Sequence, residues 1–285
     1  PARIQRSTLE IAATWLAAGL NPDKVWFYRQ SDIPQIAELT WLLTCVAGKG
    51  FLNRAHAYKA AVDINTARQE DEDAGITAGL FMYPVLMAAD IVLFGANKVP
   101  VGRDQVQHIE MARDFAARFN HTYGEHLVLP EAVIEESVAT LPGLDGRKMS
   151  KSYDNTIPLF ASKAELKKLI AGIVTDSRLP GEPKDPDNSH LFTLFQAFST
   201  AEKSAAFRKD LLAGLSWGEA KQALFETIDA EVAPMREKYE ALMAKPELIE
   251  QQLQAGAEKA RAIAAPLMKE LRYAVGLRDL RDTAE

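Results

Sequence analysis

The sequence has a single cysteine, Cys45, in 285 residues. One cysteine cannot form a disulfide bond within the chain, and such a composition is typical of proteins that fold in a reducing compartment. The apolar residues around Cys45 predict that its thiol is buried. The cysteine and histidine residues show none of the spacings of a structural zinc site, so the sequence predicts no metal site.

Long apolar runs are absent as well. No run approaches the ~20 residues that a membrane-spanning helix needs, and the first six residues lead into no apolar segment of a secretory signal. We therefore expect a cytoplasmic protein that does not enter a membrane. The chain is 47% hydrophobic and 25% charged, which is typical of a globular protein. Its length suits one large domain or two ordinary ones.

Positive charge is in deficit, with 33 Lys and Arg residues against 39 Asp and Glu residues and a formal net charge of −6. A protein that coats nucleic acid is usually basic. If this chain binds RNA, it must do so through local basic patches and shape rather than through a general positive field.

The most unusual stretch is the string G-R-K-M-S-K-S at residues 146–152, which we call the signature loop. Lys148 and Lys151 supply mobile positive charges, and Ser150 and Ser152 supply hydroxyl donors. With backbone N–H groups, these side chains could bind a polyphosphate. A K-x-x-K pattern alone is more often a solvated basic turn, because short motifs match by chance. The full string K-M-S-K-S is much rarer.

The first part of the chain alternates helical and strand-like segments. Apolar periodicity predicts helices at residues 6–19 and 36–46, with residues 25–28 as a short buried strand between them. The acidic run at residues 70–73 predicts a solvated loop, and helical sequence resumes near Thr77. Helix, strand and helix in this order indicate part of an open α/β sheet.

One predicted helix carries a carboxylate among apolar residues. Tyr83, Met87 and Asp90 lie at positions i, i+4 and i+7 and therefore share one helix face. A partly buried carboxylate needs a hydrogen-bond donor, and beside an aromatic ring and a methionine it would suit a flat apolar ligand with one N–H group, such as an indole. Alternatively, Asp90 caps the next element or pairs with a core arginine.

A strand-to-helix junction follows at residues 98–105. A short apolar strand ends at Gly102, and Asp104 is predicted as the N-cap of a long helix. Ligands of open α/β sheets bind where strand carboxyl ends meet helix N-termini. Gly102 would let a ligand approach the backbone, Asp104 could accept hydrogen bonds from ribose hydroxyls, and Gln105 could present its amide. The alternative is an ordinary junction with a capping aspartate.

The second part of the chain is helical. Residues 155–159 are predicted as a linker and residues 178–189 as a loop. The predicted helices are residues 165–174, 191–198, 201–212, 217–239 and 246–275. A loose basic series near the end is either a solvated helix face or a surface for RNA phosphates. Its members are Lys259, Arg261, Lys269, Arg272, Arg278 and Arg281.

Nine strings, in this order along nearly the whole chain, resemble the bacterial tryptophanyl-tRNA synthetases, which are class I aminoacyl-tRNA synthetases. They are Gln30–Pro34, Met82–Ile91, Val99–Glu110, Arg113–Asp114, Arg118–Asn120, Gly124–Glu125 before Pro130–Glu131, Lys148–Ser152, Val174–Ser177 and Gly256–Ala260. The resemblance implies an α/β fold, with a partial Rossmann-like nucleotide-binding domain and a parallel sheet at residues 1–155. An all-helical anticodon-recognition domain would follow at residues 156–285.

The resemblance also implies the roles of particular residues. Asp90 would accept the indole N–H of L-tryptophan, and Tyr83 and Gln105 would hold its ammonium group. The apolar residues that would pack around the indole are Met87, Ile91, Val99 and Val101. The residues that would bind ATP are Gly102, Arg103, Asp104, Val138 through its backbone, Lys148, Met149, Ser150, Lys151 and Ser152. Lys148 and Lys151 would be the catalytic residues, acting on the phosphates.

The implied reaction uses ATP with Mg²⁺ to form tryptophanyl-adenylate, which then esterifies tRNA(Trp). The resemblance further implies a homodimer. Arg103 stands where the family often has an acidic residue, which matters little if the backbone makes the contact there.

A departure from the family pattern concerns its other signature. None of the five histidines lies in an H-x-G-[HN] context, and the resemblance implies that this motif precedes residue 1. We therefore expect a chain without the first strand–helix units of the nucleotide-binding fold. One alternative is a non-catalytic relative that binds tryptophan or tRNA. Another is an enzyme similar to tyrosyl-tRNA synthetases, although Met87 and the string Gly102–Glu110 argue against it.

Overall fold

The computed structural model describes residues 1–134, 140–277 and Arg281. Its backbone contacts define two compact units. The helical unit comprises the described residues of Pro1–Asn21 and Val138–Ile249, and the sheet unit comprises those of Pro22–Ser137 and Glu250–Glu285. The functional boundary expected after residue 155 is a different kind of division, and it remains a prediction.

The described residues form eleven α-helices and two β-strands, so the chain is mostly helical with one small parallel sheet. This arrangement confirms the predicted fold class. In chain order the elements are α1 Ala2–Ala17, α2 Pro34–Val46, α3 Lys49–Leu52, α4 His56–Ala67, α5 Ala78–Val92, β1 Lys98–Val101, α6 Val106–Tyr123, β2 Glu131–Ile134, α7 Lys163–Ala171, α8 His190–Ala197, α9 Ala201–Leu212, α10 Trp217–Met243 and α11 Pro246–Ala274.

In the sheet unit, β1 and β2 pair in parallel, with register from Lys98 opposite Glu131 to Val101 opposite Ile134. Helices α2, α5 and α6 pack together beside them. The α6 helix presents Phe115 and Phe119 to the core, where both are fully buried. Two parallel strands that end side by side, with the helix α6 starting after one of them, create the kind of edge at which α/β folds bind ligands.

In the helical unit, α10 is the central helix and packs against α1, α7 and α8. Its N-terminus carries a capping box, in which Ser216 accepts from the backbone N–H of Glu219 and the Glu219 carboxylate accepts from the backbone N–H of Ser216. The core holds buried leucine, isoleucine and phenylalanine side chains from these helices. They are Leu166, Ile170, Leu191, Phe195, Leu224 and Ile228.

The predicted strand at residues 25–28 is wrong. The small sheet of the described chain contains only β1 and β2, Val25 lies in a bend, and residues 26–28 have no regular secondary structure. Their aromatic rings serve packing instead, because Trp26 and Tyr28 lie with ring centroids 6.0 and 5.6 Å from that of Phe94. A run of aromatic residues fits a half-buried surface whether or not a neighbouring strand is available.

The predicted burial of Cys45 is also wrong, since the residue is exposed. The helical period of α2 turns Leu39, Leu42 and Leu43 inward and leaves Trp41 and Cys45 on the outer face. An apolar neighbourhood in the sequence therefore did not indicate which face the thiol occupies.

Other predictions for the helices and loops hold. The acidic run lies in an exposed turn, and Thr77 caps α5 by accepting from the backbone N–H of Leu80 at 3.2 Å. Asp104, by contrast, is not an N-cap, because residues 103–105 form a 3₁₀ turn and α6 begins at Val106. Among the described residues, no helix is both long and apolar enough to span a membrane.

Candidate functional site

Asp90 lies in the last turn of α5, partly buried in the sheet unit. Its two carboxylate oxygens accept hydrogen bonds from the Nε2 of Gln30 at 2.9 and 2.7 Å. Gln30 begins the 3₁₀ turn Gln30–Asp32, and the amide donates across 60 positions of sequence. The donor to Asp90 is therefore a glutamine amide rather than the core arginine of the alternative interpretation.

Burial raises the pKa of Asp90, and the hydrogen bond from Gln30 opposes this shift. The pKa of Tyr28 is raised to about 12, first by burial and then by the negative charge of Asp90. Tyr28 consequently stays protonated at neutral pH, and the Asp90 oxygens keep lone pairs beyond those that Gln30 uses. The carboxylate can accept a further N–H group.

The four apolar residues expected around an indole belong to the same unit. Ile91 is buried, and Met87, Val99 and Val101 are partly buried and pack against the sheet-unit core. They come from α5 and from β1, and all four belong to or pack against the same sheet-unit core. An apolar surround strengthens each hydrogen bond that a polar ligand group makes there.

Tyr83 and Gln105 are joined through a buried histidine. The Tyr83 hydroxyl lies 2.7 Å from Nε2 of His108, and Nδ1 of His108 lies 3.1 Å from Oε1 of Gln105. Nε2 of Gln105 donates to Oδ2 of Asp104 at 2.9 Å. We call these four residues the polar chain. It runs from the tip of β1 into the interior, where His108 is only 7% exposed.

Gly102, Arg103 and Asp104 follow the carboxyl end of β1 and are all exposed. A Cβ atom at Gly102 would lie 2.8 Å from Oδ1 of Asp104, so glycine leaves room for that carboxylate beside the backbone. The segment after β2 contains Val138, which lies outside the described residues.

The signature loop belongs to the helical unit and closes a tight hairpin. Pro142 and Lys148 form an antiparallel bridge, and Gly143 N donates to Arg147 O at 2.7 Å. Gly146 has φ +81°, and an added Cβ would collide with the ring of His190. Only glycine combines that backbone angle with that close approach.

Asn155 organises the loop from inside, with 2% of its surface exposed. Its Oδ1 accepts from Ser150 N at 2.8 Å, and its Nδ2 donates to Asp145 Oδ1 at 2.7 Å and to Lys148 O at 3.1 Å. Residues 155–158 have no regular secondary structure, as predicted for a linker, but the Asn155 amide also holds the signature loop through these hydrogen bonds.

The side chains of the signature loop divide by function. Those of Lys148 and Lys151 are exposed, and neither ammonium group has a partner in the described part of the chain. The Ser150 and Ser152 hydroxyls lie 2.7 Å apart, and Ser150 caps the 3₁₀ turn Lys151–Tyr153. Met149 packs against the helical-unit core and anchors the loop. The loop therefore presents free cations on a fixed backbone.

The basic series near the C-terminus is largely engaged within the sheet unit. Lys259 donates to Pro22 O at 3.1 Å, Arg261 donates to Asp32 O at 2.9 Å, and Arg272 donates to the Glu38 carboxylate at 2.6 Å. Arg278 lies outside the described residues. The expected RNA-phosphate contacts of this series stay a prediction. Within the described ranges, no three His, Cys, Asp or Glu side chains are grouped to hold a metal ion.

Gln30, His108 and Asn155 had no predicted role. Gln30 and His108 lie within strings that carry the family resemblance, but Asp90 is 60 positions from Gln30 and Tyr83 is 25 positions from His108, so these two partners cannot be read from local sequence. A signal existed for His108, because it shares the inward face of α6 with Met111 and Phe115. Asn155 offers no comparable signal.

Comparison with known proteins agrees with this architecture. The family described as tRNA synthetases class I (W and Y) matches residues 1–233. The solved tryptophanyl-tRNA synthetase of Campylobacter jejuni, complexed with ADP and tryptophan, superposes with a TM-score of 0.89 at 41% identity, covering 97% of this chain and 84% of that one. The chain therefore belongs to the class I tRNA synthetases for tryptophan and tyrosine.

Within that family, the relatives point to the tryptophan branch. The tryptophan–tRNA ligase of Pseudomonas aeruginosa is 70% identical over 285 residues, covering 99% of this chain and 64% of the relative. That of Xanthomonas campestris is 69% identical over 286 residues, covering 100% and 66%. The chain thus spans slightly less than two thirds of these curated relatives. The resemblance to bacterial tryptophanyl-tRNA synthetases is confirmed.

Proposed function

We propose that this chain carries out the reaction of a tryptophan–tRNA ligase. It would activate L-tryptophan with ATP to tryptophanyl-adenylate and transfer the tryptophanyl group to tRNA(Trp). The observation that carries the proposal is the partly buried Asp90 carboxylate, which Gln30 holds in the last turn of the apolar helix α5. The names of the relatives support the same amino acid.

In this proposal, Asp90 reads the side chain of the amino acid. The indole N–H is a donor without acceptor capacity, so an ionised carboxylate is its natural partner. Met87, Ile91, Val99 and Val101 would contact the ring. A buried acceptor left unpaired costs about 1–3 kcal/mol, which disfavours amino acids that cannot donate at this position.

The ammonium group of tryptophan would bind at Tyr83 and Gln105. Both are partly buried, and the polar chain fixes both through His108. Neither carries a formal charge, so they would bind the ammonium group through hydrogen bonds rather than through an ion pair. The partial burial strengthens such bonds.

ATP would bind through the residues that the family resemblance implies for it. Gly102, Arg103 and Asp104 would bind the nucleoside, with the Asp104 carboxylate accepting from ribose hydroxyls, and the backbone of Val138 would contact adenine. The residues that would bind the phosphates are Lys148, Met149, Ser150, Lys151 and Ser152. Their support is the pair of exposed, unpartnered ammonium groups on a hydrogen-bonded turn.

Mg²⁺ would accompany ATP and reduce the charge of its phosphates. This ion is commonly held by phosphate oxygens and water with one or two carboxylates. No residue of this chain is assigned to it.

The chemistry would proceed in two steps. An oxygen of the tryptophan carboxylate attacks the α-phosphorus of ATP, the bond to the bridging oxygen breaks, and pyrophosphate leaves. Lys148 and Lys151 would stabilise the negative charge that grows on the leaving group. A hydroxyl of the terminal tRNA ribose then attacks the carbonyl carbon of the adenylate, and AMP leaves. The protein supplies position and charge, not a covalent nucleophile.

Three further parts of the proposal concern context. The helices after residue 155 would recognise the anticodon, the chain would act as a homodimer, and it would work in the cytoplasm. The helical composition of residues 163–274 supports the first of these. The oligomeric state can be measured directly by light scattering at several protein concentrations.

The experiment that tests the activity is ATP–pyrophosphate exchange dependent on tryptophan, with tyrosine as the control amino acid. Exchange with tryptophan alone is the expected result. Exchange with tyrosine would instead indicate the tyrosyl branch. Tryptophan binding by calorimetry without any exchange would identify a binding relative and refute the enzymatic proposal for these 285 residues.

The variant Asp90→Ala tests the specificity residue. We expect the Kd for tryptophan to rise because the indole N–H loses a charged acceptor, an effect of about 1.5–3 kcal/mol or about ten- to hundredfold. Asp114→Ala is the matched control, since Asp114 is exposed on α6 and has no proposed role. Equal tryptophan affinity in the two variants would remove Asp90 from the indole assignment.

A further inference from the structure

His108 is a buried polar residue. Each of its two ring nitrogens forms a hydrogen bond with a residue that is proposed to bind the substrate. His108 is 7% exposed on α6, and it contacts Tyr83 on one side and Gln105 on the other. The rings of Tyr83 and His108 lie with centroids 5.4 Å apart. Packing alone would not require two hydrogen bonds in opposite directions from one ring.

The donor and the acceptor of every hydrogen bond in the polar chain can be assigned by starting from Asp104. The carboxylate of Asp104 only accepts, so the amide of Gln105 must turn its Nε2 toward Asp104 and its Oε1 toward His108. Nδ1 of His108 must then carry the proton, which leaves Nε2 as an acceptor. The Tyr83 hydroxyl donates to that nitrogen at 2.7 Å.

This direction decides what the ends of the chain offer to a ligand. Because the Tyr83 hydrogen points at His108, the lone pairs of its oxygen remain available. Because the Gln105 amide nitrogen points at Asp104, its carbonyl oxygen keeps one free lone pair after accepting from His108. Two neutral acceptors suit a ligand group that has only donors, and an ammonium group is such a group.

We propose that His108 is a positioning residue for the α-ammonium group, and that its neutral ring with the proton on Nδ1 makes Tyr83 and Gln105 simultaneous acceptors. The inference rests on the proposed function, because it takes these two residues as the ammonium ligands. It adds a third residue, which does not touch the substrate, and a required protonation state.

Protonation of His108 would reverse the arrangement. A second N–H on Nε2 would compel the Tyr83 oxygen to accept, and the ring charge would repel the ammonium group. The titratable groups that face the ring are Tyr83 from α5, His56 from α4 and Asp104 from the 3₁₀ turn. Burial and His56 lower the pKa of His108 while Asp104 raises it, and the net direction is downward.

The neutral ring therefore prevails at neutral pH, and tryptophan affinity should fall as the pH drops through the lowered pKa of His108. The affinity falls in acid because tryptophan binding requires the neutral ring of His108 and acid protonates that ring. Tyr83 itself stays protonated, since burial raises its pKa.

The test compares two ligands on the same chain by calorimetry. L-Tryptophan has the ammonium group, and 3-(indol-3-yl)propionate has the same ring and carboxylate without it. In His108→Leu, which removes both hydrogen bonds, we expect the Kd for tryptophan to rise about five- to tenfold. The Kd for indolepropionate should change less than about twofold, because the indole contacts do not involve His108.

His108→Gln provides the conservative rescue. A glutamine amide can accept from Tyr83 and donate to Gln105 but does not titrate. We expect it to restore most of the tryptophan affinity. In the unchanged chain, the affinity for tryptophan relative to that for indolepropionate should fall as the pH is lowered from about 8 to about 5. In His108→Gln this ratio should not change with pH.

Each outcome of the test has an assigned meaning. Selective loss of tryptophan binding in the leucine variant, together with an acid loss in the unchanged chain that the glutamine variant lacks, supports the inference. Equal loss of both ligands, or an affinity ratio independent of pH, overturns it and makes His108 a packing residue. If the leucine variant does not fold, the pH arm decides by itself. If the unchanged chain binds no tryptophan, the proposed function fails and the inference fails with it.

Discussion

Asn155 offers a sharp test of how the signature loop is held. Its amide makes three hydrogen bonds, to Ser150 N, Asp145 Oδ1 and Lys148 O. The variant Asn155→Ala removes all three and leaves the donors and acceptors around a cavity. Neutral hydrogen bonds contribute about 0.5–1.5 kcal/mol each and those to charged groups more. Water can reach the edge of the loop, so we expect a loss of about 2–4 kcal/mol in local stability.

The assay is limited proteolysis with trypsin, which cleaves after lysine and arginine and needs an extended segment. The loop holds Arg147, Lys148 and Lys151. When the loop opens and closes quickly, the rate of cleavage follows the population of the open loop. A loss of about 2–4 kcal/mol should therefore raise the cleavage rate about 30- to 700-fold, because each 1.4 kcal/mol corresponds to about a factor of ten. Mass spectrometry assigns the cleavage to this loop.

Asn188→Ala is the matched control, since Asn188 is exposed and its amide donates to Asp185 alone at 2.7 Å. We expect its cleavage rate within about twofold of the unchanged chain. If Asn155→Ala and Asn188→Ala are cleaved equally slowly, the loop is held by something other than this amide. The reasoning would then be refuted, whatever the effect on global unfolding.

Two further predictions concern stability. In the sheet unit, a Cβ at Gly256 would collide with the Phe27 backbone, so Gly256→Ala should lower the free energy of unfolding, measured by thermal denaturation, by more than about 2 kcal/mol. The control is Gly50→Ala, whose added Cβ meets no atom within 4 Å and should raise that free energy by up to about 1 kcal/mol. Equal melting temperatures of the two variants would contradict the close packing at Gly256. In the helical unit, burial opposes ionisation of Asp229, but hydrogen bonds from Arg236 and an exposed lysine hold the pKa of Asp229 below the ordinary value. The contribution of ionised Asp229 to the stability of the fold is therefore fully present above the ordinary pKa and is lost as the pH falls through the lowered pKa. Asp229→Ala should cost about 3 kcal/mol by leaving Arg236 unpaired and should flatten the acid limb of the unfolding curve, and an unchanged limb would contradict the assignment.

The long helices could be predicted because each repeats its apolar face over several turns. For α10 the predicted span, residues 217–239, falls within Trp217–Met243, and the expected α11 span differs from Pro246–Ala274 by one residue. Strand β2 was not predicted, because the four residues Glu131–Ile134 show no alternation and are mostly exposed. Short strands depend on their partner, which local sequence does not contain.

The residues of the candidate site could be predicted where their chemistry is visible in the side chain itself. The Asp90 carboxylate among apolar neighbours and the lysines of the signature loop are of this kind. Gln30 and His108 could not be assigned a role, because a glutamine or a histidine becomes informative only when its partner is known. The partner of Gln30 is brought to it by tertiary packing across 60 positions.

Both compact units are assembled from segments that are distant along the chain. Helix α1 packs on α10, which begins about 200 residues later, and Phe27 lies against Gly256 of α11. Contacts of such high sequence separation close late and slow folding. At a synthesis rate of about 5–20 residues per second, the packing face of α1 waits about 10–40 seconds for its partner. During that time the face of α1 that α10 covers stays exposed to solvent, so chain connectivity, and not only the size of the core, sets how long apolar surface is exposed during synthesis.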